Sequence, residues 1–379
     1  GNLFPFLFIT IACGAVSGFH ALIASGTTPK MLANENQACF IGYGGMLMES
    51  FVAIMALVAA CIIDPGVYFA MNSPMAVLAP AGTTDVVASA AQVVSGWGFA
   101  ITPETLTHIA NEVGEQSIIS RAGGAPTLAV GMAYILHGAL GGLMDVSFWY
   151  HFAILFEALF ILTAVDAGTR AARFMLQDLL GVISPNLKRT DSLPANLLAT
   201  ALCVLAWGYF LHQGVVDPLG GINTLWPLFG IANQMLAGMA LMLCAVVLFK
   251  MKRQRYAWVA LLPTSWLLIC TLTAGWQKSF SPDTKVGFLA IANKFQAMID
   301  SGNIPPQYTE SQLAQLVFNN RLDAGLTIFF MIVVVVLALF SIKTALAALK
   351  EDKPTAKETP YQAMPADAQT ITAQAKRAH

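Results

Sequence analysis

Long apolar runs separated by short polar connections dominate this chain of 379 amino acids. A helix that crosses a lipid bilayer needs about 20 mostly apolar residues, and about eight stretches meet that need. They are roughly 3–26, 41–63, 124–144, 147–165, 193–213, 222–249, 257–276 and 324–347. The alternation of positions expected of barrel strands is absent from these runs. The pattern predicts an all-α fold, a polytopic transmembrane helix bundle of about eight spans, with broken or re-entrant segments.

Two connections are too long and too polar to be simple turns, namely 64–122 and 277–323. Region 64–122 contains the small apolar run 79–91, but prolines interrupt the region. It either stays on the cytoplasmic side, or part of it crosses or re-enters the membrane. Both connections contain helix-start patterns, in which a hydroxyl N-cap is followed by proline, a carboxylate or an amide. The helices predicted from these patterns cover 103–120, 284–300 and 309–321.

The distribution of lysine and arginine predicts the orientation of the spans. These residues concentrate in loops 166–192 and 250–256 and in the tail after 347, which the positive-inside tendency places in the cytoplasm. Loop 277–323 is then expected outside. We interpret residues 1–349 as one transmembrane transporter domain and the polar residues 350–379 as a disordered cytoplasmic tail.

The composition agrees with a lipid environment and narrows the function. Hydrophobic residues make up 56% and charged residues 11% of the chain, against about 25% charged residues in soluble domains. The formal net charge is -1 without a large basic block, which argues against nucleic acid as a partner. The cysteines and histidines show no metal-ligand spacing, so neither a metal nor another cofactor is expected. Without a Walker loop or a G-x-S-x-G elbow, neither an ATP-driven motor nor an enzyme is predicted.

The chain begins with Gly1, and its first apolar run lacks the basic stretch of a signal peptide. We therefore interpret the sequence as a fragment that has lost upstream sequence. The expected partners are membrane lipid, a proton, a small-molecule substrate and the missing part of the same protein, which the resemblance given below implies to be the N-terminal half of a carrier.

Segment 13–30 is the first candidate for substrate binding, because glycines and hydroxyl side chains interrupt an apolar run. Many transporters bind substrate where a helix is broken, since freed N–H groups and the positive helix end face an anion. Close packing of helices through small residues is the alternative interpretation. The candidate substrate-binding residues are Ser17, His20, Ser25, Thr27 and Thr28.

Segment 222–238 is the second candidate. Pro227 and Gly230 are expected to break the helix there, and Asn233 and Gln234 place two amides at membrane depth. The alternative role for these amides is hydrogen bonding between helices, worth about 1 kcal/mol each.

Two carboxylates within predicted spans, Glu49 and Glu157, are the candidates for proton coupling. A charge at that depth costs several kcal/mol (about 2.5–3.5 on insertion scales) unless it is paired or protonated. A carboxylate there can therefore take up and release a proton near neutral pH. The alternative is a structural hydrogen bond from a neutral acid. His137 and His151 in neighbouring spans are weaker candidates for a proton relay.

Asp166 and Arg170 lie four residues apart at the end of an apolar run. This spacing allows an ion pair on one helix face. We interpret the pair as a gate or structural anchor rather than as a substrate site.

Three stretches resemble one known family: Phe4–Leu32 (FPFLFITIACGAVSGFHALIASGTTPKML), Thr163–Asp178 (TAVDAGTRAARFMLQD) and Thr224–Gly238 (TLWPLFGIANQMLAG). They are similar to the carbon starvation protein A family, and the similarity continues through the whole chain. It implies the C-terminal half or slightly more of an inner-membrane secondary transporter that is induced on carbon starvation. Members are described as taking up peptides, and related members pyruvate with protons. The family is also grouped loosely with carriers whose core uses broken helices.

The resulting hypothesis is a secondary active transporter in the bacterial inner membrane that imports peptides or pyruvate, coupled to protons. The alternative is a membrane nutrient sensor or receptor without transport of its own. A sensor is expected to carry a sizeable cytoplasmic signalling domain, which the short polar tail does not provide.

Overall fold

The computed structural model describes residues 3–32, 34–35, 37–80, 83–190, 192–216, 221–305 and 308–355. All regular structure in these ranges is helical. The helices are α1 Phe6–Ala12, α2 Gly18–Gly26, α3 Thr28–Met31, α4 Gln37–Ile62, α5 Pro65–Asn72, α6 Met75–Leu78, α7 Val86–Gly96, α8 Pro103–Val113, α9 Gly124–Ala139, α10 Val146–Leu180, α11 Leu193–Val216, α12 Gly221–Lys250, α13 Trp258–Phe280, α14 Phe288–Asp300 and α15 Glu310–Lys350. Two short 3₁₀ turns cover Pro185–Lys188 and Gln254–Tyr256.

Within the described ranges, 6 helices are long and apolar enough to cross a membrane. They are Gln37–Ile62, Val146–Leu180, Leu193–Val216, Leu228–Lys250, Trp258–Phe280 and Glu310–Lys350. Each coincides with a predicted span. The prediction of an all-α polytopic membrane fold is therefore confirmed.

The other two predicted spans take a different form. Span 3–26 is divided into the short helices α1 and α2, and residue Ser17 before α2 is extended, with φ -112 and ψ 121. Span 124–144 contains α9, which has 16 residues and ends before Leu140. It is shorter than the roughly 20 residues that a perpendicular crossing requires.

Region 64–122 folds into α5, α6, α7 and α8 and builds a hydrophobic core with α9 and the start of α10. The N-cap predicted at Thr102 is confirmed, since its hydroxyl accepts a hydrogen bond from Thr105 N–H at 3.2 Å. The predicted end at residue 120 is wrong, because α8 stops at Val113. Gly114 adopts φ 76, a left-handed conformation that glycine tolerates and that ends helices.

Loop 277–323 also differs from its prediction. Helix α14 begins at Phe288 rather than near 284. The capping box at Thr309 and Gln312 is confirmed, but the helix that it starts does not end at 321. It continues as α15 to Lys350, so the predicted surface helix and the last span are one helix of 41 residues. Apolar contacts of α14 with the first turns of α15 support this extension.

The predicted break in segment 222–238 is wrong, because α12 is continuous from Gly221 to Lys250. Pro227 lies in the second turn of this helix, where its missing N–H removes one intrahelical hydrogen bond. Membrane helices tolerate such a loss when neighbouring groups bond the freed carbonyl. Helix α10 likewise continues past the predicted span end at 165 to Leu180.

The chain divides into two compact units. Unit I is Leu32–Ala167, and unit II combines Gly1–Met31 with Gly168–His379. In unit II, α12 packs against α13 and α15, and α1 and α2 pack onto α12. The predicted disordered tail falls on residues 356–379, which lie outside the described residues.

Candidate substrate site

The site in unit II is built where the break between α1 and α2 meets α12. Asn233 of α12 is buried, at 8% exposure. Its Oδ1 accepts a hydrogen bond from the backbone N–H of Phe19 at 2.9 Å and lies 3.4 Å from the hydroxyl of Ser17. The hydroxyl of Ser17, the N-cap residue, does not bond to the α2 backbone. The amide of a distant helix therefore caps α2.

Gln234, the next residue of α12, holds the other side of the break. Its side chain is fully buried, and its Nε2 donates to the carbonyl of Ile9 at 2.8 Å. Ile9 lies in the last turns of α1, close to the end of this half of the interrupted span. Within the part of the chain that the structure describes, Gln234 Oε1 is buried without a hydrogen-bond partner. Two adjacent amides thus bond the two ends of the interrupted span.

Gly18 permits this close approach. A Cβ atom at Gly18 would overlap the backbone oxygen of Asn233 and would lie 2.5 Å from Leu236 Cβ. A residue without a side chain is therefore needed at the first position of α2. At Gly18, the small residue of segment 13–30 therefore serves close packing of two helices, which was the alternative interpretation of this segment.

The remaining hydroxyls of segment 13–30 do not gather around Asn233. Ser25 donates to the carbonyl of Ala21 at 2.8 Å, and Thr28 donates to the carbonyl of Ile23 at 3.2 Å. These hydroxyls are satisfied by the backbone of α2. Thr27 is 5% exposed and its hydroxyl has no hydrogen-bond partner among the described residues, whereas the side chain of His20 is exposed.

The predicted proton-coupling residues belong to unit I. Glu49 lies midway along α4 and is exposed, while Glu157 on α10 is half-buried. The two histidines bond locally: His137 Nδ1 lies 2.9 Å from the carbonyl of Met144, and His151 Nδ1 lies 2.7 Å from that of Ser147. Such contacts favour structural roles for the histidines.

Asp166 and Arg170 both lie on α10, where Asp166 is exposed and Arg170 is half-buried. Arg170 Nη1 lies 3.9 Å from the sulfur of Met31. The helical backbone gives the two residues the predicted i,i+4 spacing. Their role as a gate or an anchor stays a prediction.

A cavity of about 260 Å³ lies beside α1 in unit II. Its described lining is apolar apart from a few polar side chains, and it consists of Phe6, Ile9, Thr10, Cys13, Gly230, Lys278 and Val286. Lys278, near the end of α13, is half-buried. Its Nζ lies 5.5 Å from the ring centre of Phe6 and 5.4 Å from that of Phe288. The sequence analysis did not single out Lys278, because the residue falls just beyond the predicted end of an apolar run.

A second group that the sequence analysis missed lies on α15. Asp323 is 2% exposed, and Asn320 and Thr327 are 3% and 0% exposed. Asn320 Nδ2 donates to the carbonyl of Leu316 at 2.8 Å, and Thr327 donates to the carbonyl of Asp323 at 2.7 Å. Polar residues at three- and four-residue spacing on one helix face were the signal in the sequence.

A family profile described as "Carbon starvation protein CstA" matches residues 1–274, which include α1, α2 and α12. The chain belongs to this family. It is 92% identical over 379 residues to the "Peptide transporter CstA" of Escherichia coli strain K12, covering 100% of the chain. It is 57% identical over 383 residues to the "Pyruvate/proton symporter BtsT" of the same strain, covering 96% of the chain.

The same relationship extends to more distant bacteria. The chain is 50% identical over 366 residues to the "Peptide transporter CstA" of Helicobacter pylori strain J99, covering 95% of the chain. The chain spans about half the length of these relatives, namely 54%, 53% and 52% in the order given. No solved structure matches the chain. Family membership and the 6 membrane-length helices of the described ranges identify a multi-pass membrane protein of a bacterial transporter family.

Proposed function

We propose that the chain forms the C-terminal share of a secondary active transporter in the bacterial inner membrane. The complete carrier imports pyruvate or short peptides during carbon starvation, and the uptake is coupled to protons. The names of the two E. coli relatives support these substrate classes and the coupling ion. They describe transport rather than catalysis, so the proposal contains no enzymatic step.

The interrupted span at α1 and α2 is the observation that carries this proposal. Asn233 and Gln234 bond to opposite sides of the break, which places two amides of one helix beside the facing ends of α1 and α2. Broken helices of this kind bind substrate in many carriers, since unpaired N–H groups and carbonyls become available to a ligand. Ser17, Asn233 and Gln234 meet at this break and are proposed to bind substrate. His20, Ser25, Thr27 and Thr28 stay proposals from the sequence pattern alone.

Glu49 and Glu157 are proposed to carry the proton. Both lie on helices of membrane length, and ionisable residues within such helices commonly belong to ion pathways. Glu157 is the stronger candidate, because its side chain is half-buried while that of Glu49 is exposed. Asp166 and Arg170 are proposed as the gate or structural pair on α10.

Uptake by the complete carrier in proteoliposomes tests the proposal. We expect labelled pyruvate or a labelled dipeptide to accumulate when an inward proton gradient is imposed. Accumulation should collapse when an uncoupler dissipates the gradient, because the proton then no longer drives the substrate. Uptake that persists unchanged after uncoupling would contradict proton coupling.

Competition in the same vesicles separates the two substrate classes. An excess of unlabelled dipeptide that inhibits pyruvate uptake indicates one shared site for both. If neither substrate enters vesicles that contain well-folded carrier, the transport proposal is wrong and the sensor alternative is favoured.

A further inference from the structure

We propose that Lys278 binds the carboxylate group of the transported substrate within the cavity beside α1. This inference rests on the proposed function, because it concerns the substrate of the same carrier. It adds to the proposed site a residue other than Asn233, Gln234 and the hydroxyl residues of segment 13–30. The ligand chemistry is a carboxylate, which pyruvate and the C-terminus of a peptide share.

The position of Lys278 is the first argument. Among the described residues that line the cavity, Lys278 is the charged one. The other lining side chains come mainly from α1, the first half of the interrupted span, and Gly230 comes from α12. Gly230 lies one helical turn before Gln234, whose amide bonds to Ile9 of the cavity wall. The cavity therefore adjoins the amide that holds the broken helix.

The surroundings of Lys278 are the second argument. The ammonium group lies 5.5 Å from the ring centre of Phe6 and 5.4 Å from that of Phe288. Contact with two aromatic rings offsets part of the cost of removing the cation from water. No ion pair of Lys278 exists within the described ranges. Since an ammonium group in weakly polar surroundings gains more from an anion than it does in water, a bound carboxylate would complete this site.

The other polar groups of the cavity are weaker donors to a carboxylate than Lys278. The single hydroxyl proton of Thr10 is donated to the carbonyl of Phe6 at 2.9 Å. The thiol of Cys13 is a weak donor. Lys278, by contrast, has three N–H donors on a flexible chain, and a charge-assisted hydrogen bond is about twice as strong as a neutral one.

The size of the cavity restricts the ligand. Its volume of about 260 Å³ lies below the range of roughly 300–1,000 Å³ that is typical of drug-sized ligands. A short organic acid fits this volume, as does the C-terminal end of a short peptide. The apolar walls suit a small side chain or methyl group next to the carboxylate.

The position along the chain also suits substrate capture during import. Lys278 lies near the end of α13 and within the predicted loop 277–323, which the distribution of basic residues places outside. A cation there would meet an incoming anion before the anion passes the amides of α12. The same charge attracts carboxylates electrostatically.

Transport kinetics of the complete carrier test the proposal. Lys278→Met keeps most of the side-chain volume and removes the charge, and Lys278→Arg keeps the charge. We expect Lys278→Met to raise the KM for pyruvate or a dipeptide by roughly 10- to 100-fold, the equivalent of one hydrogen bond to a charged group. Lys278→Arg should show a much smaller increase. Lys294→Met, at an exposed lysine of α14, is the matched control and should behave as wild type.

Neutral analogues identify the group that Lys278 recognises. Wild type should discriminate strongly between pyruvate and pyruvamide, and between a dipeptide and its C-terminal amide. Lys278→Met should lose this discrimination. If Lys278→Met keeps both its KM and its discrimination while wild type transports, the carboxylate site is wrong and the proposed function stands. Absence of uptake by wild type instead overturns the proposed function itself.

A measurement on the unmodified carrier avoids any folding defect of the variants. Cys13 lines the cavity and is half-buried, whereas Cys39 and Cys61 are exposed and serve as internal references. Saturating pyruvate or dipeptide should slow alkylation of Cys13 by N-ethylmaleimide several-fold, measured by peptide mass spectrometry, while the amide analogues should not. Equal alkylation of Cys13 with and without a transported substrate would overturn the proposal.

Discussion

Asn233 Oδ1 accepts a hydrogen bond from the backbone N–H of Phe19 at 2.9 Å, across 214 positions of sequence. The first N–H groups of a helix have no intrahelical partner, and a nearby side chain normally supplies the cap. Here α12 supplies the cap to α2. The same residue thus fixes the position of the second half-helix against the central helix of unit II.

Removing this cap should destabilise the carrier. Asn233→Ala leaves the N–H of Phe19 without its acceptor in a buried environment, and loss of an N-cap costs about 0.5–2 kcal/mol. We expect a lower unfolding temperature for the detergent-purified carrier, measured by differential scanning fluorimetry. Asn111→Ala, at an exposed amide on α8, is the matched control and should change stability by less than about 0.5 kcal/mol.

Gly18 provides a steric test of the same contact. Gly18→Ala would place Cβ against the backbone oxygen of Asn233 and 2.5 Å from Leu236 Cβ. Overpacking of this kind costs about 1–3 kcal/mol, so α2 should move away from α12. Gly14→Ala is the control, because no atom lies within 4 Å of a Cβ at that position. Because Gly→Ala by itself favours helix, an equal fall in the unfolding temperature for both substitutions would show that contact with α12 is not the cause.

Hydropathy predicted most of the fold because lipid imposes a simple rule on length and polarity. Six of the predicted spans coincide with membrane-length helices in the described ranges. The sequence also predicted the helix N-caps at Thr102 and Thr309, because each hydroxyl and its backbone N–H partner are three residues apart. Such features depend on neighbours in sequence, which a sequence displays directly.

The errors concern helix continuity, which tertiary contacts decide. Pro227 suggested a break in α12 that does not occur, while the segment around Gly14 does interrupt its span. Both segments contain residues that weaken helices, so composition alone does not distinguish them. Ser17 and Asn233 are both predicted site residues, but the sequence does not show that they contact each other, because they are 216 positions apart. Lys278 was not predicted because it falls just beyond the end of a predicted span, and one of its two ring contacts, Phe6, lies far away in the sequence.

Glu157 and Glu49 permit a comparative test of proton coupling. Glu157→Gln removes the ionisable group while retaining its size. We expect gradient-driven uptake to be abolished or uncoupled from the proton gradient, because an ionisable residue on the ion pathway is lost. Exchange of labelled for unlabelled substrate at equal pH should continue, since exchange requires binding but no net proton transfer. If the Glu157→Gln variant takes up substrate at the wild-type level and this uptake still depends on pH, Glu157 does not carry the proton.

Glu49→Gln is the informative companion to that variant. Glu49 is exposed on α4, whereas Glu157 is half-buried on α10. Because ionisable residues on ion pathways face the protein interior rather than lipid, we expect Glu49→Gln to have the smaller effect on uptake. A larger loss in Glu49→Gln than in Glu157→Gln would contradict this ranking. Both variants should be compared at equal amounts of reconstituted carrier.

Asp323 on α15 is expected to matter most for stability. Its side chain is 2% exposed, and the residue is not without a polar contact. Asp323→Ala should destabilise the carrier by about 1–3 kcal/mol, because removal of a buried polar side chain leaves its neighbours without a hydrogen-bonding partner. Asp352→Ala, at an exposed position just beyond α15, should be close to neutral. Asp323→Asn retains the shape and one carbonyl oxygen, so its unfolding temperature should fall between those of wild type and Asp323→Ala. Equal stability of Asp323→Ala and Asp352→Ala would show that the buried carboxylate does not contribute to stability.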